Sequence, residues 1–383
     1  MRCRQDRSLT VTARSDWRSH RRAARLLIFL LLFLAVTAGG AERKTRSVVL
    51  VTMDGLRWQD LFGGIDPRLM NEKSAGMADA AQLRKELFRD SAEGRREALL
   101  PFFWKQLAPR GVVLGNVQKG SSVTVTNSYN FSYPGYAEIL TGSAQEAIQS
   151  NDPVRNPAET VLEFARKKLN LDRGDVALFG SWDVFRFIGE HTPGSIVINA
   201  GYNAFDGGSE RSRDVSEIQF QARTPWPEVR HDYVTFELSL DYIRAHKPRL
   251  IYIALGEADD WAHAKRYDRV LESIQYLNHC LQALWQTLQA MPEYRDATSL
   301  VVTADHGRGD SLKDFSDHGK NVEGSNHIWI AVIGPDTPAV GEAVNTPEFH
   351  QRDIAPTMLD LLGISPELFT GAKGKAIPMA ISR

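Results

Sequence analysis

Three apolar stretches of this chain each run into a carboxylate: Val48-Val49-Leu50-Val51-Thr52-Met53-Asp54, Leu250-Ile251-Tyr252-Ile253-Ala254-Leu255-Gly256-Glu257-Ala258-Asp259, and Leu300-Val301-Val302-Thr303-Ala304-Asp305. His263 follows Asp259 by four residues, and His306 follows Asp305 directly. A spacing of four on a helix puts Asp259 and His263 on one face. Mixed carboxylate and imidazole donors suit zinc or a similar transition metal better than calcium or magnesium. Two such ions a few ångströms apart serve phosphoryl chemistry, one activating a nucleophile and the other steadying the leaving oxygen. Taken singly, each residue has a plainer reading: an Asp at a strand end is commonly a helix cap, and an Asp-His pair is commonly solvated. Together the pattern describes one site, with His318 in a polar loop and His327 before the last strand competing for the final ligand position.

A nucleophile is offered by Asn130-Phe131-Ser132-Tyr133-Pro134-Gly135-Tyr136-Ala137-Glu138, a loop entering a helix with Pro134 in its first turn. Free backbone N–H groups at such a helix start attract an anion, and a neighbouring metal lowers the pKa of a hydroxyl. The plainer reading makes Ser132 a helix N-cap. Thr126 and Ser128 are the alternative hydroxyls.

The elements that must position these groups alternate. Strand patterns fall at residues 48–54, 112–117, 122–126, 176–179, 195–198, 250–255, 300–305 and 328–333. Helical patterns fall at 133–140, 160–168, 233–245, 268–291 and 354–362. Alternation over the whole chain predicts an α/β fold, a mostly parallel central sheet with helices on both faces. The three carboxylates then share the carboxyl edge of that sheet, where open α/β folds place their ligands. The polar stretches near 60–100 and 200–230 read as surface insertions. One catalytic domain spans 41–383, with no internal repeat and no linker.

Residues 1–40 stand apart. They carry eight arginines against two aspartates, a net +6, so the whole-chain charge of −1 leaves −7 on residues 41–383. The arginines precede an apolar run at 26–38 and then Gly39-Gly40-Ala41, the pattern of a secretory signal peptide. The run is shorter than the ~20 residues a spanning helix needs. The leader predicts export to the periplasm or beyond; if it is retained, residues 26–38 are a membrane tether. A mildly acidic body argues against a nucleic-acid scaffold. Only Cys3 and Cys280 occur, so the chain beyond the leader has no pair for a disulfide.

With these motifs in place, the chain resembles the alkaline phosphatase superfamily, specifically the type I phosphodiesterase/nucleotide pyrophosphatase branch and its bacterial members, over roughly residues 46–335. The resemblance rests on Met53-Asp54-Gly55; Phe131-Ser132-Tyr133-Pro134 with Thr141-Gly142; Glu257-Ala258-Asp259-Asp260-Trp261-Ala262-His263; Ala304-Asp305-His306-Gly307; and His318-Gly319 ahead of Ile330-Ala331-Val332-Ile333-Gly334-Pro335. It implies two zinc ions. Asp259, His263 and His318 would hold one, His318 being preferred to His327 by the family's spacing. Asp54, Asp305, His306 and the Ser132 oxygen would hold the other. It further implies that Ser132 takes the phosphoryl group, that a metal-activated water releases it, and that Asn151 helps bind the phosphate. The expected substrate is a small-molecule or lipid phosphate ester.

The chain departs from that pattern in two places. Ser132 stands where most phosphodiesterases of the branch have Thr, and Gly135-Tyr136 stands where Asn-His usually follows the proline. Both bear on substrate more than on reaction type. The alternatives are a sulfatase-like sulfuric ester hydrolase, a non-catalytic surface binding module, and an intramolecular phosphotransferase. Sulfatases need an Arg two residues after the proline, and Tyr136 stands there. Arg57, Trp58, Phe62, Trp182, Phe187, Tyr202 and Trp226, in or beside the segments at 60–100 and 185–235, are the candidates for specificity, with packing the expected role of most.

Overall fold

The computed structural model describes residues 43–382, so the leader, with its signal or tether, lies outside the described residues. Its strands are β1 Ser47–Met53, β2 Gly111–Leu114, β3 Val123–Thr124, β4 Val176–Gly180, β5 Val197–Ala200, β6 Leu250–Leu255, β7 Thr298–Thr303, β8 His327–Ile328, β9 Ile330–Ile333, β10 Gly341–Glu342 and β11 Phe349–His350. Its α-helices are α1 Trp58–Gly63, α2 Ala80–Leu87, α3 Ala92–Leu99, α4 Ser132–Thr141, α5 Val161–Lys168, α6 Phe185–Ile188, α7 Glu210–Gln221, α8 Asp232–His246, α9 Glu257–His263, α10 Tyr267–Ala290 and α11 Ile354–Leu361.

Eight strands form the main sheet in the order β10-β2-β9-β7-β1-β6-β4-β5. β7, β1, β6, β4 and β5 run parallel, and β9 runs antiparallel to both β7 and β2. The expected α/β architecture is therefore present, with one reversed strand. β1 is buried along its whole length because both faces are covered. Val49, Val51 and Met53 join a core closed by α8 and α10, through side chains such as Phe236 and Leu277. Val48 and Leu50 join the opposite core, closed by α4, α5 and α11 through Ile139, Leu162 and Met358. Each fully buried aliphatic side chain of this kind contributes about 1.5–3 kcal/mol.

Several expected boundaries move. The strand placed at 195–198 is Val197–Ala200, and the one placed at 112–117 ends at Leu114. Gly115 turns the chain there with φ +112°, and the Asn116 side chain then caps a short 3-10 turn. The stretch 122–126 shortens to β3 and lies in a separate three-stranded sheet, β11-β3-β8. The polar stretch at 200–230 contains α7. Its exposed face is heavily charged, and it packs only a narrow buried line, Ser212, Val215, Ser216 and Gln219.

Among the described residues no helix is long and apolar enough to cross a membrane.

Candidate active site

The centre of the sheet is β7-β1-β6, and these are the strands that end in the three carboxylates. Asp54 leaves β1 with its N–H donating to Leu255 O at 2.9 Å. The Gly55 N–H donates to Asp305 Oδ1 at 3.0 Å. β6 passes through Gly256 alone into α9, which carries Asp259 and His263. The start of α9 is pinned by Asp232, which accepts from the Gly256 N–H (2.7 Å) and the Glu257 N–H (3.2 Å). Burial and the neighbouring Glu257 raise the Asp232 carboxyl to about 7.

The imidazole of His306 is fully buried at the centre of the site. Its Nε2 lies 3.2 Å from Asp54 Oδ1, 3.5 Å from Asp305 Oδ2, 3.7 Å from Asp259 Oδ1 and 3.5 Å from the Ser132 hydroxyl. Its Nδ1 sits 2.9 Å from the carbonyl of Gly307, which can only accept. That bond fixes the tautomer and turns the Nε2 lone pair toward the carboxylates, as a metal-ligating histidine requires. His318 Nε2 lies 3.6 Å from Asp259 Oδ1 and 2.9 Å from His263 Nε2, and His263 Nε2 lies 3.2 Å from Asp259 Oδ2.

Two groups of donors emerge, Asp54-Asp305-His306 and Asp259-His306-His318, each with its ligand atoms within 4.8 Å of one another. His263 flanks the second, and His318 rather than His327 is the histidine the fold brings in. His327 belongs to β8 and pairs with Thr124 across the small sheet.

The donor set fits divalent cations. Asp54 Oδ1 and Asp305 Oδ2 are buried without a hydrogen-bond partner, a costly arrangement unless a cation satisfies them. Burial, then the charge of Asp259, raises the Asp54 carboxyl well above the usual range; burial, then Asp54, does the same to Asp305. Burial also opposes ionisation of Asp259, yet Arg308 and the nearby histidines hold its pKa well below the ordinary value. Burial and His306 push His318 down to about 2, leaving a neutral imidazole.

Ser132 opens α4, and Phe131 occupies the cap position without a side-chain cap bond. The Ser132 hydroxyl therefore does no capping and faces His306. Thr126 is bound instead to Glu138 at 2.8 Å, and Ser128 is exposed. Glu138, fully buried in α4, also accepts from the Asn127 N–H (2.8 Å) and the Arg352 N–H (3.2 Å), which fixes the loop before Ser132. The helix start offers an anion fewer donors than its position suggests. Tyr133 N–H is taken by Asn151 Oδ1 at 2.9 Å, and Pro134 has none. Asn151 lines the same cavity as Ser132, and among the described residues its amide NH2 makes no hydrogen bond.

Four contributors were not singled out from the sequence as site residues. Tyr136 donates its hydroxyl to Asp54 Oδ2 at 2.9 Å. Gly135 lies so close to β7's end that a Cβ there would sit 2.3 Å from the Asp305 carbonyl. The Gly135-Tyr136 departure thus has a local account: one residue admits the helix and the other grips a ligand. Arg308 is 2% exposed and binds Asp259 Oδ1 and, at 2.6 Å, the Ser316 carbonyl. Gln351 donates to the Asp305 carbonyl at 2.5 Å.

Above these groups is a cavity of about 600 Å³, with Asp54, Ser132, Asn151, Asp259, His263 and His318 in its lining. Trp182 and Phe187 also line it. The other specificity candidates do not. Arg57 pairs with Asp60 at 2.7 Å, Trp226 packs on Trp261 at 4.7 Å, Tyr202 bonds Thr224 at 3.0 Å, and Trp58 and Phe62 line a separate cleft of about 350 Å³.

Residues 215–366 match the family model described as the Metalloenzyme superfamily. The 2,3-bisphosphoglycerate-independent phosphoglycerate mutase of Thermomicrobium roseum is 25% identical over 155 residues, which cover 38% of this chain and 27% of that protein. The mutase from Legionella pneumophila strain Paris is 27% identical over 174 residues, 42% and 31% of the two chains. The chain thus spans about a third of the length of these curated relatives. Among solved structures, the alkaline phosphatase PafA superposes with a TM-score of 0.56 at 12% identity, covering 90% of this chain and 100% of that one. The phosphonate monoester hydrolase of Agrobacterium radiobacter gives 0.52 at 15% identity, covering 88% and 77%. These likenesses show the fold.

Proposed function

We propose that this chain is a member of the alkaline phosphatase superfamily, a reading supported by its family-model match and its fold, and that it is an exported phosphoric ester hydrolase that uses two zinc ions and a phosphoseryl intermediate at Ser132. The observation that carries the reading is the meeting of both ligand groups at His306, whose Nε2 is 3.5 Å from the Ser132 hydroxyl. Asp54, Asp305 and His306 would hold one ion, and Asp259, His263 and His318 the other. Divalent ions bound there would lower the pKa of the serine hydroxyl and offset charge on the transferring group.

The chain's own residues supply the remaining steps. Ser132 Oγ attacks phosphorus, the ester P–O bond breaks, and the alcohol leaves with a proton. Water then cleaves the phosphoserine and restores the hydroxyl. Asn151, held by the Tyr133 N–H, keeps its amide NH2 for a phosphoryl oxygen. Diesters are favoured over monoesters. Among the described residues the one cation lining the cavity, Arg186, sits 3.1 Å from Asp183, so no free side-chain cation of those residues meets the second charge of a monoester there.

The paired test gives purified protein a p-nitrophenyl phosphate monoester, a bis-ester and a sulfate, with and without Zn²⁺. Zinc-dependent turnover of the phosphates is expected; faster turnover of the sulfate contradicts the reading, and no turnover at all favours a binding module. Ser132→Ala and Asp305→Ala should each lose at least ~10³-fold in rate. The mutase relatives favour a second reading, transfer to another hydroxyl of the substrate, and product analysis separates it by showing a positional isomer in place of free phosphate. The basic and apolar leader supports export; the N-terminal mass of protein recovered from the periplasm checks it, as it checks retention of the tether.

A further inference from the structure

The proposed hydrolase needs His318 beside His306 and Ser132, yet the stretch that carries it has no regular structure: residues 304–326 lie outside every strand and helix. The ring of His318 still lies 4.0 Å from that of His306, centroid to centroid. A metal-ligating histidine is usually oriented by a hydrogen bond at its other ring nitrogen. His306 has one, to Gly307, but His318 Nδ1 is buried with no partner among the described residues. The direction of the His318 ring therefore depends on how its loop is held. Ser325, fully buried, is the residue that braces this loop. Its hydroxyl lies 2.9 Å from the carbonyl of Gly319 and 2.7 Å from that of Val322. Both can only accept, so the single hydroxyl proton points into the loop next to His318. The Ser325 carbonyl accepts the Gly307 N–H at 2.8 Å, one residue after His306.

Ser325 also reaches the nucleophile's loop. Its Oγ accepts from the Asn130 side-chain amide at 3.3 Å, two residues before Ser132. β3 and β8 pair at the base of the two loops, and the Val125 N–H extends that pairing to the Asn326 carbonyl at 2.9 Å. Beyond it the loops part around a cavity of about 520 Å³, with Asn127, Ser128 and Asn130 on one side and Lys320, Val322 and Glu323 on the other. Among the described residues the Asn130–Ser325 bond is the one hydrogen bond joining 126–132 to 318–326 past that point. Asn130 is shaped for it. Its φ of +51° is the left-handed conformation that Asn tolerates, and Asn127 Oδ1 accepts its N–H at 3.1 Å. We propose that Ser325 is a positioning residue. Through Gly319 it holds His318 toward Asp259 and His263, and through Asn130 it sets Ser132 against that loop. This inference rests on the phosphoric ester reading and adds a residue to it.

The test titrates zinc into the chelator-treated full chain against a chromogenic chelator, and follows turnover of the p-nitrophenyl esters at each zinc concentration. Two ions per wild-type chain are expected. Ser325→Ala should weaken one of them by ~10–100-fold and leave the other in place, with kcat recovering as zinc is raised. Asn130→Gly keeps the left-handed turn and removes only the amide. It should bind both ions as the wild type does, yet lose ~10-fold or more in kcat with KM unchanged, because Ser132 is misplaced. A purely structural role would lower the melting temperature of Ser325→Ala and affect both ions alike or neither; either result overturns the proposal. Should Ser325→Ala fail to fold, Asn130→Gly decides: a wild-type kcat overturns the brace, and the kcat loss with both ions bound supports it. If the wild type turns over neither p-nitrophenyl ester, the phosphoric ester reading falls, while the zinc titration of Ser325→Ala still decides whether Ser325 holds the His318 loop.

Discussion

Tyr136 holds a ligand candidate, Asp54, without being one. Its hydroxyl is the partner of Asp54 Oδ2, while Oδ1 is left for a cation. Removing a neutral donor from a buried carboxylate costs about 1.5–3 kcal/mol. Tyr136→Phe should therefore weaken zinc binding by ~10–100-fold, read by competition with a chromogenic chelator; unchanged affinity would show that Asp54 is held by its backbone alone. Arg308 plays a different part. It is the cation buried against Asp259, so Arg308→Met leaves three carboxylates less compensated when no metal is present. The melting temperature of the chelator-treated variant should fall further than that of the zinc-loaded variant; equal losses would reduce Arg308 to packing. Both residues lay beside motifs visible in the sequence. Their roles were not visible, because Asp54 is 82 residues from Tyr136 and Asp259 is 49 residues from Arg308. Most of the Asp and His ligand candidates were legible for the opposite reason: Asp54, Asp305 and His306 follow strand ends, and Asp259 and His263 sit on the short helix after β6, whereas His318 lies in a loop and was preferred only by the spacing the resemblance implies.

At the scale of elements, α4 is fitted against the end of β7. Gly135 is the contact, with Asp305's carbonyl in the space a Cβ would take. Gly135→Ala must push the helix or the ligand loop aside, an overpacking that costs about 1–3 kcal/mol. A lowered melting temperature with a larger loss of kcat than of substrate binding is the expected result, since Ser132 and Asp305 move apart. A variant with wild-type stability and turnover would contradict the close fit. The long apolar strands and amphipathic helices of the core were readable because burial on one or both faces imposes a period. β3, β8, β10 and β11, two residues each, are too short to carry a period, and α7 buries too narrow a line to show one. The same lack of pattern hid part of the cavity walls, whose Asp183 and Glu228 lie in loops between strands and helices, although Trp182 and Phe187 there were among the candidates read from the sequence.

Over the whole molecule, the sheet order does what no single segment can. By placing β1 between β6 and β7 it gathers carboxylates from residues 54, 259 and 305 at one edge. Crowding them there has a pH signature. Asp54 and Asp305 have folded pKa values raised by burial and by neighbouring carboxylates. In metal-free protein their protonated forms contribute stability that is complete below the ordinary carboxylate range and is lost as pH rises through the raised values. Zinc held by these carboxylates would displace those protons, so its binding would strengthen over the same interval. Asp259 and His318, ionised and neutral respectively across it, do not oppose this. The rise in melting temperature given by saturating zinc should therefore grow as pH rises above the ordinary carboxylate range; a constant or shrinking increment would count against metal binding by these carboxylates. The central claim, that the gathered ligands serve a nucleophilic serine, is tested most directly by acid-quenching the zinc-loaded enzyme during turnover of a phosphorus-labelled ester and mapping the label by peptide mass. The account predicts phosphate on the peptide containing Ser132, absent in Ser132→Ala together with turnover; turnover that persists in Ser132→Ala, or label on another residue, would contradict it.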